Sequence, residues 1–317
     1  LGGGIRLLNK KLTFILILMV VFLNVIFGTV LAAKDAKIKN GVVYGNYVVT
    51  NENIEEAKKI KRIKGYLGVE ANIVDMPNLE KIEGALYITS ESSKVEKINM
   101  PELKEIERLL ISYNRNVPVN LKKLYLPNLK KIKDGISIKH VFKTFQRLKL
   151  PNLKYVGGSI CIGKNQKLNE INLKSLKKVG SIRIFLNDQL KHINLSSLEK
   201  TKENSILSIS QTEIEILNLN NLKKTGGLIF WGNEFLNKIY FNNLKEIQNS
   251  FSMRWNNNLK EIYAPRLKKV GTDQKGRSIK TEGKYQDTIL IQVKETPDYQ
   301  GKIGDVKFSI IKEEIKK

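Results

Sequence analysis

The sequence predicts an all-β fold: a right-handed parallel β-helix, or β-solenoid, of about nine turns of 22–26 residues with short N- and C-terminal caps. Three observations carry it. A leucine recurs at a nearly fixed interval, two doublets of alternating apolar residues fall inside each interval, and no apolar stripe of helical period lasts long enough to build a helix between them. The leucines are Leu79, Leu103, Leu129, Leu153, Leu176, Leu198, Leu222, Leu244 and Leu267, in tripeptides such as P-N-L, K-S-L and S-S-L.

One turn defines the unit: Leu168-x-x-Ile171-x-Leu173-x-x-Leu176-x-x-Val179-x-x-Ile182-x-Ile184-x-x-Asn187, after which Leu190 opens the next. The I-x-L and I-x-I doublets alternate as strands do, sending every second side chain inward. The x-x spacers fit corners. Stacking like on like brings successive turns to about 4.8 Å, the interstrand spacing of a sheet. A single turn buries too few apolar side chains to offset the ordering of its backbone, so neighbouring turns must supply the ladder hydrogen bonds.

Four segments follow in order. Arg6, Lys10 and Lys11 precede the uncharged run Leu12 to Ala33, so residues 1–32 read as a secretory signal cut before Ala33. The run is also long enough for an uncleaved membrane anchor. Translation is expected to start at Leu7 or Leu8. Residues 33–62 form an N-terminal cap, with a strand at GNYVVT and a short helix in NIEEAKKIKRI, where Asn53 and Glu56 have capping-box spacing. Residues 63–271 are the solenoid. In 272–317 the repeat fades, and DTILIQV and DVKFSII read as cap strands.

Composition narrows the chemistry. Cys161 is the one cysteine and His140 and His192 are the only histidines, which leaves no disulfide framework and no Cys/His zinc site; no metal and no cofactor are expected. The net charge is +24, and the three cations of the leader account for three of these, leaving +21 on the exported part. Such a balance concerns partners and solubility, not fold.

The element Ile63-Lys64-Gly65-Tyr66-Leu67-Gly68-Val69 recurs as Ile82-Glu83-Gly84-Ala85-Leu86-Tyr87-Ile88. With P-N-L-K-K-I and G-G-S-I-x-I, it resembles the receptor L domain, the leucine-rich-repeat-like β-helix of insulin- and EGF-receptor ectodomains and of fungal cell-wall proteins. The likeness spans about 41–270. This chain has neither their capping disulfides nor a kinase, so the resemblance implies a non-enzymatic, secreted or cell-surface recognition module. A cell-wall or surface polymer, a glycan or a protein is the expected partner; export argues against nucleic acid, and membrane contact is limited to the leader. One alternative is a β-helix polysaccharide lyase or hydrolase, which needs clustered carboxylates that Asp75, Asp134 and Asp188 do not supply. Another is an inert spacer.

Three sets of residues are candidates. The first is a cationic ridge after the leucine column, thirteen Lys against four Glu, with Lys130, Lys131, Lys177, Lys178, Lys223, Lys224, Lys268 and Lys269 as a polyanion site. Its bland alternative is a solvated edge. The second is an outward patch of Arg183, Phe185, Ile229, Trp231, Arg254 and Trp255 for ligand binding, unless the C-terminal tail covers it. The third is Asn165, Asn187, Asn233 and Asn256, with Asn72 and Asn114 as earlier counterparts; these read as an internal amide ladder rather than sugar contacts.

Overall fold

A computed structural model of the chain describes residues 37–88, 94–111, 119–141, 144–272, 279–282, 289–293, 298–299 and 306–310. The leader at 1–32 and Asn114 lie outside them. The fold is a parallel β-solenoid of about nine turns, and the nine predicted leucines form one column, eight of them fully buried and Leu267 4% exposed. Each turn has three sides. On the first is a two-residue strand such as Lys81–Ile82, on the second a longer one such as Ala85–Ile88, and on the third a three-residue strand such as Lys97–Asn99. Where the first two sides run together they give single long strands, Tyr155–Gly163 and Lys178–Asn187.

The register is the one the repeat demands. Ile82, Ile106, Ile132, Val156 and Val179 fill one interior row, then Thr201 and Thr225 interrupt it. The two threonine hydroxyls are 3.1 Å apart and satisfy one another inside the apolar stack. That fits the general requirement for a polar group under a sheet.

The second-side strand leaves through a sharp corner built the same way on successive turns. One residue enters the left-handed region, at His140, Lys164, Leu186, Gln211, Gly232 and Trp255, with φ between 50° and 64°. The next residue points inward. At four turns it is asparagine: Asn165, Asn187, Asn233 and Asn256 are all fully buried. The Asn165 amide donates to the Ile138 carbonyl at 3.1 Å and to Asn187 Oδ1 at 3.1 Å, and Asn187 Oδ1 also accepts from the Asn165 backbone N–H at 3.2 Å. Asn233 and Asn256 repeat the pattern, with Thr212 supplying the rung before them through its hydroxyl, 2.8 Å from Asn233 Oδ1. Asn72 does not belong to this ladder. It stands three residues after Val69, as Asn165 does after Ile162, but it is exposed and Ala71 is buried, because at that turn the third-side strand begins at the next residue, Ile73.

The corners also differ in length where the third side begins. From ladder residue to the next buried apolar residue is three steps at Asn165–Leu168, Asn187–Leu190, Asn233–Leu236 and Asn256–Leu259, each closed by a backbone hydrogen bond of 2.9–3.1 Å. It is four steps from Val141 to Phe145 and two from Thr212 to Ile214. At these two places the third-side ladder breaks, which divides it into 73–75 to 123–125, 147–149 to 192–194, and 216–218 onward. At each of these corners the following strand misses the strand of the turn before but still pairs with the strand of the turn after.

The ends differ from the middle. Lys37–Lys39 and Val42–Tyr44 form the one antiparallel pair among the described residues, joined at Asn40 and Gly41, both at positive φ as a two-residue hairpin turn requires. The helix is confined to Ile54–Ala57, and the expected capping box is not made: Asn53 instead accepts from the Thr50 N–H and donates to the Val48 carbonyl, tying the loop to the strand before it. At the other end Ile279–Glu282 and Ile289–Val293 stay parallel and in register with the turn before them, and Val306–Ile310 adds one more strand.

Burial of the leucine column sets an expected cost of about 2–5 kcal/mol for Leu176→Ala, measured by urea denaturation. Asn233→Ala removes the acceptor of both the Thr212 N–H and its hydroxyl and should cost about 1–3 kcal/mol for each group left buried without a partner. Asn72→Ala on the exposed position should stay within about 0.5 kcal/mol.

Candidate functional site

The outer face of the second side presents two columns, because side chains alternate across a strand. Cross-strand register fixes them as Cys161, Arg183, Ser208, Ile229, Ser252 and as Gly163, Phe185, Ser210, Trp231, Arg254. Small and large residues mostly alternate. Ser208, Ser210 and Ser252 lie on the outer face but are only 6–9% exposed, since their larger neighbours cover them. The Phe185 ring lies over Gly163 and leaves no room for a Cβ there.

This arrangement divides the predicted patch. Trp231 and Trp255 sit on adjacent turns with ring centroids 5.7 Å apart at 61°, exposed 37% and 44%. Arg254 stands directly across from Trp231, half-buried, with Glu282 next in register. Phe185 is two turns from Trp231, about 10 Å at the sheet spacing, with Ser210 between. Arg183 keeps to the Phe185 end, across from Ser208. Ile229 lies between Ser208 and Ser252. The patch is thus a tryptophan pair with one arginine, and a separate Phe185–Arg183 corner.

Trp255 adopts φ 50°, where bulky L-residues are strained. Replacement by glycine removes that strain, whereas alanine keeps it. Trp255→Gly should therefore be more stable than Trp255→Ala by about 1 kcal/mol, the reverse of the order on a regular strand. Paired urea melts would show it.

The ridge is not the row of bare cations that the residue count implies. Glu199 lies between two turns and binds Lys177 at 3.8 Å and Lys223 at 3.3 Å; Glu246 binds Lys224 at 3.1 Å, and Glu105 binds Lys81 at 3.0 Å and Lys131 at 3.9 Å. Lys177, Lys223, Lys224 and Lys131 are thereby partly neutralised. Lys130, Lys178, Lys268 and Lys269 make no ion pair among the described residues, nor do Lys154 and Lys200, which the candidate set omitted.

Glu105 shows the effect on ionisation. Its hydrogen bond from Lys81, with a further one from Lys133, holds its carboxyl below the ordinary value of 4.5 against a smaller opposing effect of burial. A depressed folded value means the stabilisation is complete above the unfolded value and is lost as pH falls through the folded one. Glu105→Gln should accordingly weaken the protein at neutral pH and flatten the loss of stability below about pH 4.5, in melts followed from pH 7 to 3.

Where the first side meets the second, the ridge opens into a groove of about 430 Å³ that crosses five turns. Its floor is backbone: a Cβ at Gly157 would strike the Lys133 carbonyl and one at Gly180 the Gly158 carbonyl. Lys178, Lys200, Lys202 and Lys224 line it with one acid, Glu203, 3.9 Å from Lys224, and Tyr155 stands at one end, 38% exposed. Lys178, Lys200 and Lys224 are cross-strand neighbours in register. Lys202 and Tyr155 were not among the predicted site residues; the signal was present in G-G-S-I, V-G-S-I and T-G-G-L, whose glycines mark where side chains drop away from the surface. Among the described residues no cluster of three His, Cys, Asp or Glu side chains is placed to hold a metal, and no helix is long and apolar enough to cross a membrane.

No protein-family model matches the chain. A stretch of 129 residues, 40% of this chain, is 28% identical to Sporulation-specific protein 22 of Saccharomyces cerevisiae and spans about a quarter, 26%, of that protein. A leucine-rich repeat protein from Bacteroides ovatus aligns over 88% of this chain and 97% of its own, with 13% identity and a TM-score of 0.28. That score is too low to bear on the fold, which rests on the register described above.

Proposed function

We propose that the chain is an exported, non-enzymatic recognition module of a cell surface or wall, and that it holds an anionic polymer in the glycine-floored groove. The groove itself carries this reading: Lys178, Lys200 and Lys202 line it on adjoining turns without an acidic partner among the described residues. Like charges about 5 Å apart repel by about 0.8 kcal/mol even at the dielectric constant of water. A polymer whose anions recur along its length turns that repulsion into attraction at several lysines at once and releases their counterions. Tyr155 at the end of the groove offers a ring face to a sugar or another apolar group. The yeast relative is named for sporulation, and a role in that process is compatible with a surface module of this kind.

The tryptophan pair supports a second contact on the neighbouring side. Two aromatic rings left exposed, one of them in a strained backbone conformation, are the arrangement of an anchor for a protein or a sugar.

The groove is tested on immobilised polyphosphate and polygalacturonate. Changing Lys178, Lys200 and Lys202 together to Gln should reduce retention on at least one polymer and lower the slope of log affinity against log salt by about 2, by the counterion argument developed for nucleic acids. The paired residues are the control: Lys177→Gln with Lys223→Gln should change retention far less, since Glu199 already holds both. Equal retention by the groove variant and the parent would remove the proposal.

A further inference from the structure

The third side carries a feature that the groove and the tryptophans leave unexplained. Its outward column runs Asn172, Asn194, then across the ladder break Asn218, Tyr240 and Tyr263. Each asparagine makes the same local bond: Asn172 Oδ1 accepts from the Lys174 N–H at 3.2 Å, Asn194 Oδ1 from Ser196 at 3.1 Å, and Asn218 Oδ1 from Asn220 at 3.1 Å. Because the oxygen is committed to a backbone donor, the amide NH2 of each is fixed as the outward group. None of the three has a partner for it among the described residues. Asn194 and Asn218 are exposed and Asn172 is half-buried.

Two depressions lie over this column and share Asn218. One, of about 390 Å³, opens at the break between strands 192–194 and 216–218, where the facing edges are not joined by ladder hydrogen bonds and Ile216 is 56% exposed. The other, of about 400 Å³, lies against Tyr240 and Tyr263, whose rings are 6.4 Å apart at 57°. The charges alongside are already matched: Glu170 with Lys149 at 2.9 Å and Glu261 with Lys238 at 2.9 Å. The surface is therefore neutral, rich in fixed donors and aromatic at one end.

We propose that the third side binds a neutral glycan bearing acetamido groups, laid along the solenoid axis from Asn172 to Tyr263. A row of outward amide donors favours a ligand rich in acceptors. The acetamido carbonyl is a strong uncharged acceptor on a sugar, and its methyl group suits the exposed Ile216 and the tyrosine faces. An anionic chain gains little here because the lysines along the strip, Lys149, Lys191 and Lys238, are each already held by a carboxylate. Four intervals at the sheet spacing make the strip at least about 19 Å long, room for a short oligosaccharide. Edge groups freed by the break add polar partners at the centre of the strip, where specificity in concave sites is usually set. The assignment stands whether or not the basic groove binds polyanions.

Calorimetric titration of the full chain with chitohexaose, and with cellohexaose as the acetamido-free counterpart, tests it. Chitohexaose should bind and cellohexaose should bind more weakly. Asn194→Asp and Asn218→Asp keep the oxygen that closes the local turn while deleting the donor, so the fold is retained and each should weaken binding about threefold to tenfold. Tyr240→Ala should weaken it about tenfold. The groove variant with Lys178, Lys200 and Lys202 changed to Gln should bind chitohexaose as the parent does. Absence of chitohexaose binding, or binding unaltered by both Asp substitutions, overturns the site; equal affinity for the two hexasaccharides overturns the acetamido assignment.

Discussion

Everything in this molecule depends on the lateral ladder between turns, and the ladder depends on the corner after the second side. One turn exposes nearly all of its backbone donors and acceptors until another turn lies against it. The corner must therefore deliver the chain to the third side at the same height every time. At four turns it does so by one residue in the left-handed region followed by an inward asparagine, and the amides of Asn165 and Asn233 reach both the next turn and the carbonyl of the one before. The amide is a cross-link perpendicular to the chain. Its energy is modest, about 0.5–1.5 kcal/mol for a hydrogen bond made, but leaving such a group unpaired inside the stack is what excludes other registers.

A periodic interior makes a periodic exterior, and the surface chemistry follows from that. Any residue type repeated at one position of the unit becomes a column at the sheet spacing. For lysine this would be costly, and the columns are relieved where glutamate falls between two turns, as Glu199 does between Lys177 and Lys223. For asparagine it is harmless and yields a row of donors. For large side chains on the second side, the crowding is met by placing Gly163, Ser208, Ser210 and Ser252 between them. The three sides thus present a basic groove, an aromatic pair and an amide strip on one rigid stack.

Much of this could be read from the sequence. The leucine column, the number of turns and the inward asparagines after the I-x-I doublet all lie at fixed positions of the unit, so a one-dimensional period is enough to find them. The capping box at Asn53 is not made because a neighbouring strand competes for the same side chain, and Asn72 stays outside because the corner at its turn is too short to turn it inward before the strand at Ile73. The charge state of the ridge was hidden for another reason. Whether Lys177 or Lys178 is neutralised depends on which residue stands 22 positions on and on which way each side chain leans, and a count of lysines contains neither. The amide strip is present in the repeated I-N-L, but the spacing does not say which atom of each amide is turned outward.

The two irregular corners have the most consequence for how the stack is used. A sheet that breaks presents unpaired edges, which are a liability for association with other chains, so a broken ladder costs stability and adds risk. At the break by Thr212–Ile214 the corner is one residue shorter, while Thr212 still keeps its place in the buried ladder through Asn233. The interior is preserved and only the third side is displaced. The loss is confined to the third side and falls within the asparagine column, between Asn194 and Asn218.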